Sequence, residues 1–213
     1  MKRIVNEFGK RNCGKRAYAV PVLCAAMAIC LPAQTFTSLH SFDGTDGASP
    51  VGLVQATNGD LYGTTYYQGP NGGGTVFKIT PSGSLTTLYG FCSESGCTYT
   101  PAALVQATNG YFYGTTVHGG ANKVGTVFRL SVGLGPFVKT IPTSAKVGKA
   151  VKILGTDLTG ATSVSFNGTG AVFTVVSSSL ITTTVPAGAT SGQVQVVTPS
   201  GTLSSNVPLR VLP

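Results

Sequence analysis

The chain has 213 residues, of which 42% are hydrophobic and only 9% are charged. This composition excludes a disordered chain, because enough apolar residues are present to form packed cores, and the low charge together with 29 glycines favours short strands and tight turns. The net charge of +8 does not indicate a nucleic-acid partner: six of the 14 basic residues lie in the first 16 positions, and residues 34–213 carry eight basic and five acidic residues, a balance of +3.

The first 33 residues have the pattern of a secretory signal peptide. A basic segment is followed by an apolar stretch, Ala17 to Ala33, that ends in a small residue. We predict cleavage after Ala33. The alternative is an uncleaved anchor, but these 17 residues, interrupted by Pro21, fall short of the roughly 20 apolar residues that a membrane-spanning helix needs. We therefore expect an exported protein, extracellular, at the cell surface or periplasmic, whose mature chain contains no membrane span.

Cleavage would leave Cys92 and Cys97 as the only cysteines of the mature chain. An even number of cysteines in an oxidising compartment predicts a disulfide between them. So short a loop would add at most about 2 to 3 kcal/mol, so the bond would hold a turn rather than the fold. A redox or metal site is the alternative, but the CxxxxC spacing has no second ligand pair.

The central part of the chain is a duplication. Pro50 to Ile79 aligns with Pro101 to Leu130 at an offset of 51 without gaps, and 18 of the 30 positions are identical. The shared text is P..LVQATNG, then YGTT, then a Gly-rich loop, then GTVF. A fixed period of this length indicates a repeat architecture.

Each copy predicts four short strands, in the first copy Leu53 to Thr57, Leu61 to Tyr67, Thr75 to Thr80 and Leu85 to Phe91. Asn58-Gly59 predicts a two-residue hairpin turn. Gly63, inside the second strand, predicts a bulge or a close approach of the backbone. The text of the fourth strand also precedes the first copy, since Phe36 to Phe42 matches Leu85 to Phe91 at an offset of 49, so we expect a strand there as well.

The repeated text LVQATNG..YGTT..GG....GTVFK resembles the GloVer-type tandem repeat of large exported bacterial proteins, and its strand count resembles a propeller blade. The resemblance covers about residues 35–134. A propeller closes with roughly four to eight blades, whereas this chain has two copies. The copies could form a compact β-domain, self-associate, or belong to a shortened relative, and we favour the compact domain because each unit can pack on its neighbour.

A second domain is expected after the linker Gly133 to Pro136. Turn residues there separate short strands at a spacing near ten residues, which is typical of a β-sandwich; the strands are Ala150 to Leu154, Ser163 to Asn167, Val172 to Val176, Ile181 to Val185, Gln193 to Thr198 and Val207 to Val211. Five motifs in this region resemble the IPT/TIG immunoglobulin-like family: Pro142 to Gly148, Val151 to Gly155, Val164 to Gly168, Thr184 to Ala189 and Val197 to Gly201. The resemblance implies a spacer or interaction module and supplies no catalytic residues.

Asn167-Gly-Thr169 fits a glycosylation sequon, but in a bacterial chain a turn is the simpler interpretation.

The predicted organisation is therefore all-β. Residues 1–33 are the signal peptide, residues 34–134 are two tandem four-stranded blade-like repeats, and residues 135–213 are an immunoglobulin-like β-sandwich.

We find no catalytic pattern and predict no enzyme activity, no cofactor and no metal site. The mature chain has five acids, Asp43, Asp46, Asp60, Glu94 and Asp157. Two carboxylates across a substrate would indicate a glycosidase, but Asp60 becomes Tyr111 in the second copy, as a solvated turn residue would. Asp43 and Asp46 offer oxygen ligands for calcium, but a solvated turn is the better interpretation, because turns select Asp and Gly and the second copy lacks this pair. No triad or metal-ligand pattern surrounds His40 or His118.

The remaining functional signal is aromatic. Tyr62, Tyr67, Tyr113 and His118 lie near the repeat loops and form a candidate ligand surface, although alternation along a strand favours core packing over ligand contact for the tyrosines. The preferred hypothesis is a non-catalytic binding, adhesive or structural protein whose partner is an extracellular glycan or another surface protein. The alternatives are a polysaccharide-active enzyme or an accessory fragment of one, and a structural remnant of a longer array.

Overall fold

The computed structural model describes residues 34–92 and 99–213. Residues Ser38–Pro213 form one unit. Every element in the described ranges is a β-strand, which confirms the all-β prediction. Within those ranges, no helix is long and apolar enough to cross a membrane. The predicted signal peptide lies outside the described residues, and so does Cys97.

The first repeat forms the predicted four-stranded sheet. Its strands pair antiparallel in the order in which they occur in the sequence, β1 (Ala48–Gln55), β2 (Leu61–Tyr67), β3 (Thr75–Ile79) and β4 (Leu85–Gly90). The hydroxyls of Thr65 and Thr75 lie 2.9 Å apart between β2 and β3, and both side chains are buried. The alternation of side chains gives the sheet two faces, one with Tyr62 and Val76 and the other with Phe77.

The hairpin between β1 and β2 has a three-residue loop, so the predicted two-residue turn was wrong. The N–H of Ala56 donates to the carbonyl of Asp60, and the N–H of Gly59 donates to the carbonyl of Ala56, both at 2.9 Å. Gly59 has a φ of +87°, whereas Asn58 is not left-handed. The loop is therefore a type I turn on Thr57 and Asn58 that is completed by a glycine bulge.

At Gly63 the backbone lies close to neighbouring atoms, as predicted. A Cβ atom built there would lie 2.6 Å from the carbonyl oxygen of Gly52 and 2.6 Å from the ring of Phe77. Gly114 has the same surroundings in the second copy, 2.5 Å from the ring of Phe128. The glycine therefore allows the ring from the third strand to lie flat on the second.

Within residues 34–92 and 99–213, the second repeat has three strands rather than the predicted four. β5 (Val105–Gln106), β6 (Phe112–Thr116) and β7 (Thr126–Leu130) pair antiparallel in that order. The segment that follows β7 is not a strand, because it contains Gly133 at a φ of +79° and Pro136, which has no N–H to donate.

The strand predicted over Phe36 to Phe42 is also absent, since residues 34–43 contain no strand. Strand pairing needs a free sheet edge, and the edge of β3 is already occupied by β4. Phe42 packs by its side chain instead, edge-on to Phe77 with ring centroids 5.2 Å apart.

The two repeats pack face to face. Tyr62 of the first repeat stacks on Phe112 of the second, with ring centroids 4.4 Å apart and an interplanar angle of 30°, and both rings are buried. The hydroxyl of Thr64 donates to the carbonyl of Ala102 at 2.9 Å across the same interface. The cluster is extended by partly buried residues of both repeats, Val54, Leu88, Leu104, Leu130, Val132 and Leu134.

The C-terminal domain is a sandwich of two four-stranded sheets and a short parallel pair. Its strands are β8 (Lys139–Ile141), β9 (Ser144–Lys146), β10 (Ala150–Leu154), β11 (Ser163–Phe166), β12 (Thr169–Ala171), β13 (Phe173–Ser177), β14 (Leu180–Thr184), β15 (Val194–Thr198), β16 (Gly201–Ser204) and β17 (Arg210–Leu212). The first sheet has the order β13, β14, β10, β8, the second has the order β12, β11, β15, β16, and β17 pairs with β9. Val151 and Ile181 of one sheet share a buried core with Phe166 and Val194 of the other.

The sandwich contains a two-residue Asn-Gly turn. Phe166 pairs directly with Thr169, and the residues between them, Asn167 and Gly168, have φ of +46° and +89°. Two positive φ angles identify a type I′ turn. The Asn167 side-chain amide donates to the hydroxyl of Thr190 at 2.8 Å, so this side chain has a structural role.

The interface between the two repeats should dominate the stability of the repeat region. We predict that Phe112→Ala lowers the free energy of unfolding by about 3 to 5 kcal/mol, because it removes a fully buried ring and leaves a cavity against Tyr62. The control Val124→Ala removes an exposed side chain of the same repeat and should change the free energy by less than about 0.5 kcal/mol. Chemical denaturation followed by tyrosine fluorescence measures both. Equal losses for the two variants would contradict the face-to-face core.

Candidate functional site

The repeat region has two ends that differ in chemistry. The turn end carries the hairpin loops 56–60 and 107–111, and the loop end carries the segments 43–47, 67–74, 99–100 and 117–125. The sandwich attaches at the turn end, where the N–H of Phe137 donates to the carbonyl of Thr108 at 2.8 Å and the hydroxyls of Thr108 and Thr156 lie 2.8 Å apart. The loop end is therefore the end remote from this attachment.

The loop end of the first repeat is built by two segments that fix each other. The N–H of Gly69 donates to the carbonyl of Gly44 at 3.0 Å, and the buried hydroxyl of Thr75 donates to the carbonyl of Asp46 at 3.1 Å. Tyr66 and Tyr67 stand at the end of β2, edge to face with ring centroids 4.6 Å apart. Tyr67 is 52% exposed and available to a ligand.

The loop end of the second repeat has the same plan with different residues. The N–H of Val117 donates to the carbonyl of Thr100 at 3.1 Å, and Thr100 Oγ1 lies 3.2 Å from Nδ1 of His118, whose side chain is exposed. Tyr99 stacks on Phe91 and covers Gly119, where a Cβ atom would lie 2.4 Å from the tyrosine ring. Tyr99 could not be recognised from the repeat pattern, because its position lies outside the gapless alignment of the two copies.

The four predicted ligand-surface residues do not come together at one end. Tyr67 and His118 lie at the loop end, whereas the hydroxyls of Tyr62 and Tyr113 accept hydrogen bonds from the side-chain amides of Asn58 and Asn109 at the turn end. Tyr67 lies five residues after Tyr62 along β2, a distance of about 17 Å at the usual rise per residue. Tyr62 is in addition only 2% exposed, because it stacks on the second repeat.

The acidic residues of the described ranges are dispersed. Asp60 lies at the turn end, 3.6 Å from the ammonium of Lys78, and Asp157 lies in the sandwich. Asp43 and Asp46 share one loop, where Asp46 Oδ2 lies 2.5 Å from Nε2 of His40. Among the described residues, no group of three or more His, Cys, Asp or Glu side chains could hold a metal ion.

Asp43 closes its loop through Thr45. The N–H and the hydroxyl of Thr45 donate to Asp43 Oδ1 at 2.8 Å and 2.7 Å. These bonds, the hydroxyl bond first, lower the pKa of Asp43 below its ordinary value because they stabilise the ionised carboxylate.

Two cavities accompany the repeats. An apolar groove of about 400 Å³, the first-repeat groove, runs along the outer face of the first repeat. It is lined mainly by Leu39, Leu53, Leu61, Phe77 and Ile79. A polar cleft of about 340 Å³ lies where the repeats meet the sandwich, with Thr57, Phe137 and Gln193 among its walls. Among the described residues, no acidic side chain lines either cavity.

Family comparisons match both parts of the chain. The Gloeobacter/Verrucomicrobia repeat matches residues 26–152, and the IPT/TIG domain matches residues 136–211. No curated protein matches the chain significantly.

Several solved structures are similar to this chain at low identity. One is a crystal structure with a xylogluco-oligosaccharide, at 15% identity and a TM-score of 0.32, covering 76% of this chain and 37% of that one. Another is SGBP-B from a complex xyloglucan utilization locus in Bacteroides uniformis, at 11% identity and a TM-score of 0.30, covering 76% and 49%. A third is a fungal alcohol oxidase of the AA5 family in complex with copper, at 13% identity and a TM-score of 0.26, covering 77% and 42%. The chain thus spans less than half the length of each of these structures.

The hydrogen bonds of Thr45 predict a specific response of Asp43 to pH. Because the folded-state pKa is lowered, the contribution of these bonds is fully present above the ordinary pKa of Asp43 and is lost as the pH falls through the lowered value. Thr45→Val removes the hydroxyl bond and should raise the pKa of Asp43 toward its ordinary value, whereas Thr57→Val at the turn end should leave it unchanged. Carboxyl-detected NMR titration measures both. An unchanged midpoint in Thr45→Val would contradict the assignment.

Proposed function

We propose that this chain, which belongs to the Gloeobacter/Verrucomicrobia repeat family, is an exported, non-catalytic binding protein that contacts an extracellular glycan or a surface protein through the loop end of its repeats. The immunoglobulin-like sandwich then acts as the spacer that holds the repeats away from their attachment. The proposed organisation is a signal peptide over residues 1–33, the repeats over 34–134 and the sandwich over 135–213.

The distribution of differences between the two copies carries the proposal. Thirteen positions from Leu53 to Thr65 contain only two differences, Asp60 against Tyr111 and Leu61 against Phe112. The eight positions from Tyr66 to Gly73 contain six. The copies thus keep the scaffold and vary the loops, which is how a rigid framework presents a binding surface.

The side chains at the loop end suit a ligand with both polar and apolar faces. Tyr67 offers an exposed ring and His118 an exposed imidazole, and the half-buried Tyr66 and Tyr99 stand beside them. A tyrosine ring stacks on an apolar face while its hydroxyl exchanges hydrogen bonds with the rim of the ligand. Tyr62 is left out of the proposed surface because its ring is buried.

A binding role, rather than hydrolysis, is favoured by the acids. Asp43 accepts from Thr45 in its own loop, Asp46 contacts His40 in the segment before that loop, and Asp60 contacts Lys78 of the strand β3. A glycosidase needs two carboxylates that face each other across a substrate, about 5 to 10 Å apart.

The loop end can be tested with a matched pair of tyrosine variants. Glycan arrays probed with the purified exported chain should give binding that Tyr67→Ala weakens about tenfold, which is about 1.4 kcal/mol. Tyr111→Ala, at the turn end, is the control and should bind as the parent does. A hydrolase screen on the same sugars runs in parallel. Product release in that screen would favour the enzyme alternative, and equal effects of the two variants would contradict the loop end as the site.

Export and the cysteine pair can be tested together in a secreting bacterium. We expect the secreted chain to begin at Gln34 and to contain no free thiol, because Cys92 and Cys97 are oxidised to a disulfide. Cys92→Ser should leave Cys97 open to alkylation, whereas Cys13→Ser should change nothing because the signal has been removed. Intact mass after iodoacetamide treatment gives the readout. A secreted chain that keeps residues 1–33, or that has two free thiols, would contradict these expectations.

A further inference from the structure

Each repeat exposes a face whose equivalent in the other repeat is buried between the two repeats. On the first repeat, Val76 is 1% exposed because its face packs on the second repeat; on the second repeat, the equivalent Val127 is 78% exposed. Thr64 is fully buried, and its equivalent Thr115 is exposed. The face of the second repeat that would receive a following repeat is therefore bare.

The opposite face of the first repeat shows the reverse pattern. Leu104 of the second repeat is half-buried against the first, whereas the equivalent Leu53 is 60% exposed beside the first-repeat groove. Gln106 is buried and accepts the N–H of Thr57 at 3.2 Å, whereas the equivalent Gln55 is exposed. This face has the shape and chemistry to receive a preceding repeat.

The segment Leu39 to Phe42 already occupies the place of a preceding fourth strand. Its Phe42 lies edge to face on Phe77, with ring centroids 5.2 Å apart and an interplanar angle of 65°. Phe91, which follows β4, lies in the same way on Phe128, with ring centroids 5.2 Å apart and an angle of 68°. One step earlier, His40 meets Phe42 at 5.0 Å and 88°, and Tyr89 meets Phe91 at 5.0 Å and 82°. The segment is thus set on the first repeat as β4 is set on the second, but it pairs with no strand.

The second repeat lacks the partner that this segment would supply. Among the described residues, β7 has no fourth strand beside it, so its outer edge presents N–H and C=O groups that no described strand pairs. In the first repeat the corresponding edge is paired, with Val76 opposite Tyr89. Val127 is the equivalent of Val76 at the offset of 51, and His40 is the equivalent of Tyr89 at the offset of 49. In a sheet completed by another copy, Val127 would therefore lie opposite His40.

We propose that the chain self-associates head to tail, with the exposed second-repeat face of one copy docked on the first-repeat groove of the next. The Leu39 to Phe42 segment of the receiving copy completes the sheet of the docked copy as its fourth strand. Because the interface joins two different faces, it is heterologous. Successive copies close into a ring when the rotation from one copy to the next brings the last copy back to the first. Propellers close with four to eight blades, so two blades per chain require about two to four copies. This inference does not depend on the proposed ligand.

The size of the purified protein and of two charge variants tests the docking. Native mass spectrometry and light scattering should show a closed species of about two to four chains. Val127→Glu and Leu53→Glu should each weaken association on the order of 100-fold, since a buried carboxylate would lack a partner. Val176→Glu, at an exposed strand valine of the sandwich, is the matched control and should assemble as the parent does.

Mixing the two variants separates a head-to-tail interface from a symmetric one. Each variant keeps one intact face, and those two faces are complementary, so an equimolar mixture should form a dimer with one chain of each kind. Circular dichroism confirms that both variants are folded. A parent protein that is monomeric at every concentration, or variants that keep the parent's mass, would overturn the proposal.

A cysteine pair tests the donated strand directly. His40→Cys combined with Val127→Cys should give chains linked between copies on a non-reducing gel, because opposite residues of paired strands lie within disulfide reach. His40→Cys combined with Val176→Cys is the control and should not. Assembly that persists without this cross-link would overturn the strand exchange.

Discussion

The fold depends on the need of each repeat sheet to cover two apolar faces. A strand places alternate side chains on opposite faces, and in β2 and β3 both sets are apolar or small, with Tyr62 and Val76 on one side and Gly63 and Phe77 on the other. A single sheet can therefore not be stable alone, and the Tyr62–Phe112 stack is where one repeat covers the other. An aromatic pair of this kind contributes about 0.5 to 1.5 kcal/mol beyond the area it buries.

This requirement also explains which parts of the repeat are free to change. A side chain at Gly63 or at its equivalent Gly114 would strike the ring of Phe77 or Phe128, so this position is glycine in both copies. At the loop end the backbone is fixed by bonds between main-chain atoms, such as that from Gly69 to Gly44. Side chains there can differ without changing the scaffold, as Tyr67 and His118 do.

In the sandwich the sequence predicts six strands, and the structure adds four short ones, β8, β9, β12 and β16. Strands such as Ala150 to Leu154 alternate between buried and exposed residues around one core, so local pattern and global packing agree. In the repeats, the dipeptide Asn58-Gly59 suggests a type I′ turn, but the register of β1 and β2 leaves three residues in the loop; at Asn167-Gly168 the strands leave two, and the type I′ turn forms. Register depends on the packing of whole sheets, so the dipeptide alone could not distinguish the two cases.

The missing fourth strand shows the same limit at a larger scale. Val76 and Val127 belong to the same GTVF text, and Thr64 and Thr115 to the same YGTT text, yet one member of each pair is buried and the other is exposed. Burial is therefore set by the position of a repeat in the stack and not by its own residues. The segment Leu39 to Phe42 has the residues of a fourth strand, but β4 already occupies the edge of β3 in its own repeat. Among the described strands, β7 has an unoccupied edge but is followed by the glycines and the proline of the linker. A strand forms only where suitable residues meet an open edge, and in this protein those two conditions are met by opposite ends of the stack.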